Sequence, residues 1–510
     1  MVKINKALAL AIFGIIMCVF LCACGNNDRS RGQSDTLNVG QTSEPRGLDP
    51  ALIEDLESAR VTSNIYEGLV QFSKNSVDIE PCLAKSWDIS EDGLSYTFYL
   101  RENVKFHDGT DFDASAVKFN IDRQLPDAAT EDMPYAEATF GSVSNVKVID
   151  QYIVKITLKE RCTPFLNNLA MCLSAPMVSP KAVQENNNNL NENPVGTGPY
   201  KFVRWDKNQS VVLVRNDEYW GEKANISNLV FKIISDQATR AVALTNGEVD
   251  IIPNVDVSVV DQIKNSGCKI LENEGMNVSF VSFNTESPIC KDKEVRRAIA
   301  QSVNTKELTK TIMRGYADPA TSILPTFING YDNSIKQAQF DPESAKSVLS
   351  SKGINNIHMI THTNVGGQET AVAIQDYLSK IGVNLTIDSY DWTTYKDKVK
   401  NGDYDLCYYA WIGDNGDPDN FLNILSIPDT AINTSRYNNS EYNEGIRKGL
   451  ATPRGEQRNK IYTDLEKLQA EDAAMLPLWH KKTLSGYRTN IDNFKEHSTG
   501  IMFFKDITKS

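Results

Sequence analysis

The segment "ETAVAIQDYLSKIGVNLTI", residues 369–387, changes its period part-way along. Ala371, Ile374, Leu378 and Ile381 recur three and four apart, the stripe of a helix packed on one side. Gly382 stops that stripe, and Val383, Leu385 and Ile387 then alternate as in a half-buried strand. "SDQATRAVALTNGEVDII" (235–252) has the same design. Ser235 and Asp236 start it, Ala238, Ala241, Val242 and Thr245 read as its packed face, Gly247 ends it, and "VDII" restarts as strand. "RNKIYTDLEKLQAEDAAMLPLW" (458–479) again joins a helical stripe, Ile461, Leu465 and Leu468, to an apolar run. Helices alternating with strands predict an α/β core. "WDISEDGLSYTFYL" (87–100) adds a hairpin: Asp92-Gly93 is a tight-turn signal, and Leu94, Tyr96, Phe98 and Leu100 follow at period two.

The chain has 510 residues and a formal net charge of -13, which suits two large lobes and argues against a nucleic-acid groove, since no basic stripe offsets the charge. Its N-terminus is more informative. Lys3 and Lys6 precede the uncharged run "ALALAIFGIIMCVFL" (7–21), shorter than the ~20 residues of a membrane span, and this reads as an export signal. The following "LCAC" resembles the lipobox of bacterial lipoproteins. That resemblance implies cleavage after residue 23, a lipidated Cys24 as mature first residue, and 24–35 as a polar tether. The alternative is an uncleaved N-terminal anchor. Cys22 stands where such boxes usually carry Ala, Ser or Val.

Six cysteines remain beyond Cys24, none in a C-x-x-C, so a zinc site is not expected. Export permits disulfides, and Cys162 with Cys172 would close a short loop. His358 and His362 share i, i+4 spacing, but "IHMITHTNV" is β-rich, so a helical metal pair is not expected there either. "ENNNNLNEN" (185–193) reads as an exposed loop.

In α/β sheets, ligands bind beyond the carboxyl ends of strands. Strand 383–387 runs into "SYDWTTY", placing Trp392 past its end; the apolar stretch 404–411 runs into "IGDNGDPDN", placing Trp411 and Asp414 past its end. Two tryptophans and a carboxylate then share one rim if these strands are parallel neighbours; otherwise both tryptophans are core residues. Three acids sit in that loop. "DNGDPDNFLNIL" has neither the D-x-D-x-D rhythm nor the closing Glu of a calcium loop. Asp419 after Pro418 reads as a helix cap, Asp417 before proline as a turn residue, and Asp414 is left as the free charge.

Several phrases in order carry a family resemblance: "RGLDP" (46–50), "IEPCLAKSWDISEDGLSYTFYLRENVKFHDGTDFDASAVKFNIDR" (79–123), "VGTGPYKFVRW" (195–205), "VSFNTESP" (281–288) with "VRRAIAQSVN" (295–304), and "WIGDNGDPDNF" (411–421). From about Leu37 onward the chain resembles the extracytoplasmic solute-binding proteins of ABC importers, in the peptide, nickel and opine class (family 5), and the last phrase is similar to the dipeptide-binding branch. The resemblance implies a two-lobe α/β fold of the periplasmic-binding-protein kind, with lobe one at 36–273 plus 483–510, an inserted subdomain near 70–190, and lobe two at 274–482. It implies crossings near "ENEGMN" and "HKKTLSGY". It also implies that Asp414 pairs with a ligand α-ammonium while Trp411 and Trp392 wall the cavity. Where the dipeptide branch places an arginine for the ligand carboxylate, this sequence has Thr361, with His362 a weak substitute, so longer peptides, amidated ligands and other amines come into range.

The function so implied is a monomeric, lipid-anchored receptor on the outer face of the cytoplasmic membrane, delivering short peptides to an ABC permease. It needs no cofactor, metal or catalytic residue; the covalent lipid on Cys24 is its only attachment. Alternatives are a receptor for a nickel chelate or other small amine-bearing solute, a chaperone or signalling-peptide receptor with the same pocket, and an exported hydrolase. For the last, no G-x-S-x-G or H-E-x-x-H is present. His107 in "KFHDGTDFD" reads as structural.

Overall fold

The computed structural model describes residues 35–363, 366–427 and 431–510; the signal segment and Cys24 lie outside the described residues. Two α/β lobes share one long strand, Met475–Tyr487. Its first half pairs antiparallel with Asn277–Phe283, from Ser279↔Trp479 to Ser282↔Met475. Its second half pairs with Lys269–Glu274, from Lys269↔Tyr487 to Glu274↔Lys482. The chain therefore passes between lobes at Gly275–Met276 and again within the shared strand.

Lobe two orders its strands Asn384–Tyr390, Asn356–His362, Leu406–Ile412, Asn277–Phe283 and the shared strand. The quoted 369–387 segment is one side of it. Helix Gly367–Lys380 buries Ala371, Ile374 and Leu378, Gly382 takes φ 83°, and Leu385 returns to the same core. Lobe one continues from the shared strand through Ile251–Ile252, Thr36–Gln41, Asn228–Ile233, Ser210–Arg215 and Tyr200–Asp206. A separate antiparallel sheet, ordered Ala84–Ile89, Ser95–Leu100, Ile153–Leu158 and Val143–Asp150, holds its own core around Phe98, Phe112 and Phe165. The predicted hairpin is there: Ile89 pairs with Tyr96, and Gly93 turns the chain at φ 69°.

Three expectations change. Helix Gln237–Asn246 starts on Asp236 and ends at Gly247 as read, but it buries Arg240, Ala241, Ala243 and Leu244, while Val242 is 43% exposed. The buried face is turned because Arg240 donates to the Ile234 and Ser235 carbonyls while Leu244 packs with Ile252. The asparagine loop is not simply exposed. Leu190 is fully buried, and the Asn191 amide oxygen accepts from the Leu48 and Asp49 backbone, since a carbonyl oxygen can serve two donors. Cys162 and Cys172 are free thiols, so the short loop between them is not cross-linked. His358 and His362 stand on one strand; His358 meets Asp388 at 3.0 Å, and among the described residues no cluster of three metal-ligating side chains exists. His107 bonds the Gly198 carbonyl at 2.9 Å, and burial pushes its pKa down to about 4, as suits a structural staple.

Among the described residues, no helix is long and apolar enough to cross a membrane.

Candidate functional site

The site grows from the end of strand Leu406–Ile412. Strands 384–390 and 406–412 are parallel but not neighbours: Asn356–His362 lies between them, pairing parallel with both. Trp392 and the Trp411–Asp414 segment therefore share a rim with His362 between them. Trp392 opens helix Trp392–Asn401 and is 39% exposed, so it is no core residue; its ring meets that of His362 edge-on, with centroids 5.5 Å apart. Trp411 belongs to the strand itself, half-buried against the lobe-two core, and its buried indole N–H has no partner among the described residues.

Beyond Ile412 the chain must turn tightly. A Cβ at Gly413 would fall 2.5 Å from the Phe421 ring, and a Cβ at Gly416, which takes φ 66°, would fall 2.5 Å from Val77. Real side chains do not approach so closely, so glycine at both positions lets the loop press on its own lobe and on the opposite one. The opposite lobe grips the loop with side-chain amides. Asn167 donates to the Asn415 carbonyl at 2.7 Å, and Asn415 donates to Asn168 at 2.8 Å. Thr163 bonds the Leu450 and Thr452 carbonyls nearby, so the two lobes touch across the cleft.

Asp414 points its carboxylate into that junction. Its backbone N–H is held by Asn420 at 3.1 Å, and its carboxylate accepts the Tyr135 hydroxyl from the other lobe. Burial raises its pKa to about 6, against the smaller opposing effect of Tyr135. No cation partners it among the described residues. A buried carboxylate is costly to ionise unless a positive charge arrives, and that is the condition for a site that recognises a cation. Asp414 borders a cavity of about 350 Å³ whose other walls, Tyr66, Phe72, Met171, Cys172 and Trp220 among them, come from lobe one. A larger cleft of about 900 Å³ opens beneath the rim, lined by His362, Tyr408, Trp479 and Lys481 of lobe two and Asp256 of lobe one. Trp392 and Trp411 border neither.

A family model of the bacterial extracellular solute-binding proteins, family 5, matches residues 78–432. The chain belongs to that family. Di/tripeptide-binding protein 2 of Pseudomonas aeruginosa is 32% identical over 497 residues, covering 91% of this chain and 93% of that one. Heme-binding protein A of Haemophilus influenzae is also 32% identical, over 498 residues, covering 91% and 90%. Among solved structures, the periplasmic binding protein DppA of Helicobacter pylori in complex with the peptide STSA matches at TM-score 0.79 and 30% identity, over 94% of this chain and 98% of that one. As a family 5 solute-binding protein the chain is not an enzyme.

In this solute-binding protein the other two acids of the loop do different work from that expected. Asp419 caps nothing: helix Asp419–Leu422 begins on it, and its own N–H donates to Asp417 at 3.0 Å. Asp417 supplies that acceptor and also takes both arms of the Arg458 guanidinium, at 2.7 and 2.8 Å, in a fully buried pair. Left without its own cation, Asp419 is pushed up to about 7 by burial and by the Asp417 charge beside it. The solute-binding protein thus uses one acid to lock the loop and aims another at the cleft. Sequence reading missed Tyr135, Arg458 and Lys481, because each meets the site from a distant stretch with no local motif. Thr361, at the end of its strand, is fully buried with no partner for its hydroxyl among the described residues, and it brings no charge to the rim.

Proposed function

We propose that this protein is the substrate-binding component of an ABC importer that captures short peptides between its lobes, 36–273 with 483–510 and 274–482. One observation carries the reading: Asp414 is a half-buried carboxylate at the contact of the two lobes, its pKa raised by desolvation, with no cation beside it among the described residues. Its relatives include di/tripeptide-binding proteins, and a peptide occupies the structurally similar DppA of Helicobacter pylori. An α-ammonium on Asp414 is worth about 4 kcal/mol at 4 Å and an effective dielectric of 20, before desolvation costs. Because closure excludes water from the pair, the ligand binds the closed state better and draws the lobes together.

A receptor for a metal chelate is the second reading, favoured by His362 at the edge of the larger cleft and by the relative named for heme. Native mass spectrometry of the purified protein, with ligand release, separates the two. The expected result is a short-peptide mass, and added peptide then stabilises the fold by about 2.7 kcal/mol at a hundredfold excess over Kd. A chelate mass, or no stabilisation by any peptide, overturns the peptide reading.

The export signal and "LCAC" support a lipid anchor on Cys24 that holds the monomer beside its permease, outside the cytoplasmic membrane. Cys24→Ser is expected to abolish incorporation of labelled fatty acid and to leave the protein unanchored. Undiminished labelling of that variant would place the lipid elsewhere.

A further inference from the structure

The chain crosses between the lobes at Gly275–Met276 and within the shared strand, and a further set of contacts spans them with no chain crossing. Helix Phe165–Leu169 is rooted by Phe165, Leu166 and Leu169 in the core of the separate antiparallel sheet. Its Asn167 is 2% exposed, yet both ends of the amide bond to lobe two. The nitrogen donates to the Asn415 carbonyl at 2.7 Å, and the oxygen accepts from the Arg454 guanidinium. Asn415 donates in return to the Asn168 amide oxygen at 2.8 Å, while Asn168 donates within its own lobe to the Ala138 carbonyl. Just before the helix, Thr163 gives its backbone N–H to the Leu450 carbonyl at 3.0 Å and its hydroxyl to the Thr452 carbonyl at 2.9 Å.

These lobe-two partners stand on the loop after strand Leu406–Ile412 and around the turn between helices Ser440–Ala451 and Glu456–Asp472. They can part from helix Phe165–Leu169 without unpairing any strand. A cavity of about 170 Å³ lies at the junction, walled by Val77, Asp78 and Asn167 on one side and Gly416, Arg454 and Asn459 on the other. The surfaces meet there through polar bonds beside a cavity, and water can replace each bond when the lobes separate. Such an exchange shifts a balance by roughly twofold to tenfold per bond, enough to hold a state without locking it.

We propose that helix Phe165–Leu169 is a closure latch. Asn167 and its neighbours hold the loop that carries Asp414 in the closed arrangement of the lobes and release it in the open one, so the helix sets the closed fraction from outside the ligand site. Asn415 adjoins Asp414, so seating a cation on Asp414 and closing the latch favour the same arrangement of one loop, and each strengthens the other. This rests on the reading that a solute is captured between the lobes, and it holds whether or not that solute is a peptide.

The test uses full-length parent, Asn167→Ala and Arg454→Met, each stripped of endogenous solute, in small-angle X-ray scattering and in calorimetric titration with dialanine and trialanine. Asn167→Ala is expected to lower the closed-to-open ratio roughly fivefold. If the parent is mostly closed, the variant shows an expanded scattering profile. If the parent is mostly open, the variant shows a Kd raised by one common factor for both peptides, because affinity scales with the competent fraction. Arg454→Met alters an exposed residue on lobe two, so it leaves both cores intact. It should act in the same direction, and the double variant should lose less than the sum of the single losses, since both remove one contact. An unchanged profile together with unchanged Kd values overturns the latch. So does a loss that differs between the two peptides, which would make Asn167 a ligand contact. If the parent binds neither peptide, the peptide reading loses its support and the scattering comparison decides the latch alone, an unchanged profile overturning it.

Discussion

Asp414→Asn is expected to weaken peptide binding by ~2–5 kcal/mol, roughly thirtyfold to several thousandfold. The amide keeps the shape and an acceptor for the Tyr135 hydroxyl but removes the charge, so the ligand ammonium is buried without compensation. N-acetylating the peptide removes the same interaction from the other side and should cost a similar amount. The two changes together should then cost much less than their sum, because both delete one contact. Titrating parent and variant with free and acetylated peptide measures this, and additive losses would mean that Asp414 is not the ammonium partner. The pH dependence has a definite sign. Burial raises the free carboxyl to about 6, and an arriving ammonium lowers it, so affinity is full above that value and falls as pH drops through it. From pH 7 to 5 the loss is about tenfold for a group titrating near 6, and Asp414→Asn should flatten the profile. Folding carries the opposite sign. In the free protein, ionising Asp414 costs stability as pH rises from its ordinary 3.8 to about 6.

Asp417→Asn should instead be a stability variant, losing ~3–5 kcal/mol of folding free energy, because it leaves the Arg458 guanidinium buried against a neutral amide. The pair is bidentate and closed to water, and Arg458 also donates to the Gly449 carbonyl at 2.7 Å and the Tyr462 hydroxyl at 3.0 Å. The arginine cannot follow a lost partner into solvent without unmaking those bonds. Urea unfolding should show a lower midpoint with an unchanged slope, and replacing Asp417 and Arg458 together by Leu and Met should cost less than the sum of the single changes. Whatever peptide binding Asp417→Asn retains should respond to N-acetylation as the parent does. A midpoint within error of the parent's would show that the pair contributes nothing net, and a changed response to acetylation would move Asp417 into the ligand site.

The sequence by itself determined what short-range order can encode. A helix stripe ending in glycine and reappearing as an alternating strand, as in 369–387, requires the chain to double back at Gly382, and the structure does so at φ 83°. The Asp92-Gly93 turn was legible for the same reason: left-handed backbone and period-two burial leave local traces. Asp414 stood out because it directly follows a strand end. Only the tertiary structure decided which residues meet it. The strand bearing His362 is inserted between the two strands whose ends carry the tryptophans, and strand order is a matter of long-range pairing that no local pattern records. The division of labour among the three acids was decided in the same way. Pro418 marked a turn, but the cation that claims Asp417 comes from Arg458 on another helix, while Tyr135 reaches Asp414 from the other lobe. Whether a carboxylate is locked, neutralised or left for a ligand depends on the charges and the water around it, and folding brings those from distant parts of the chain.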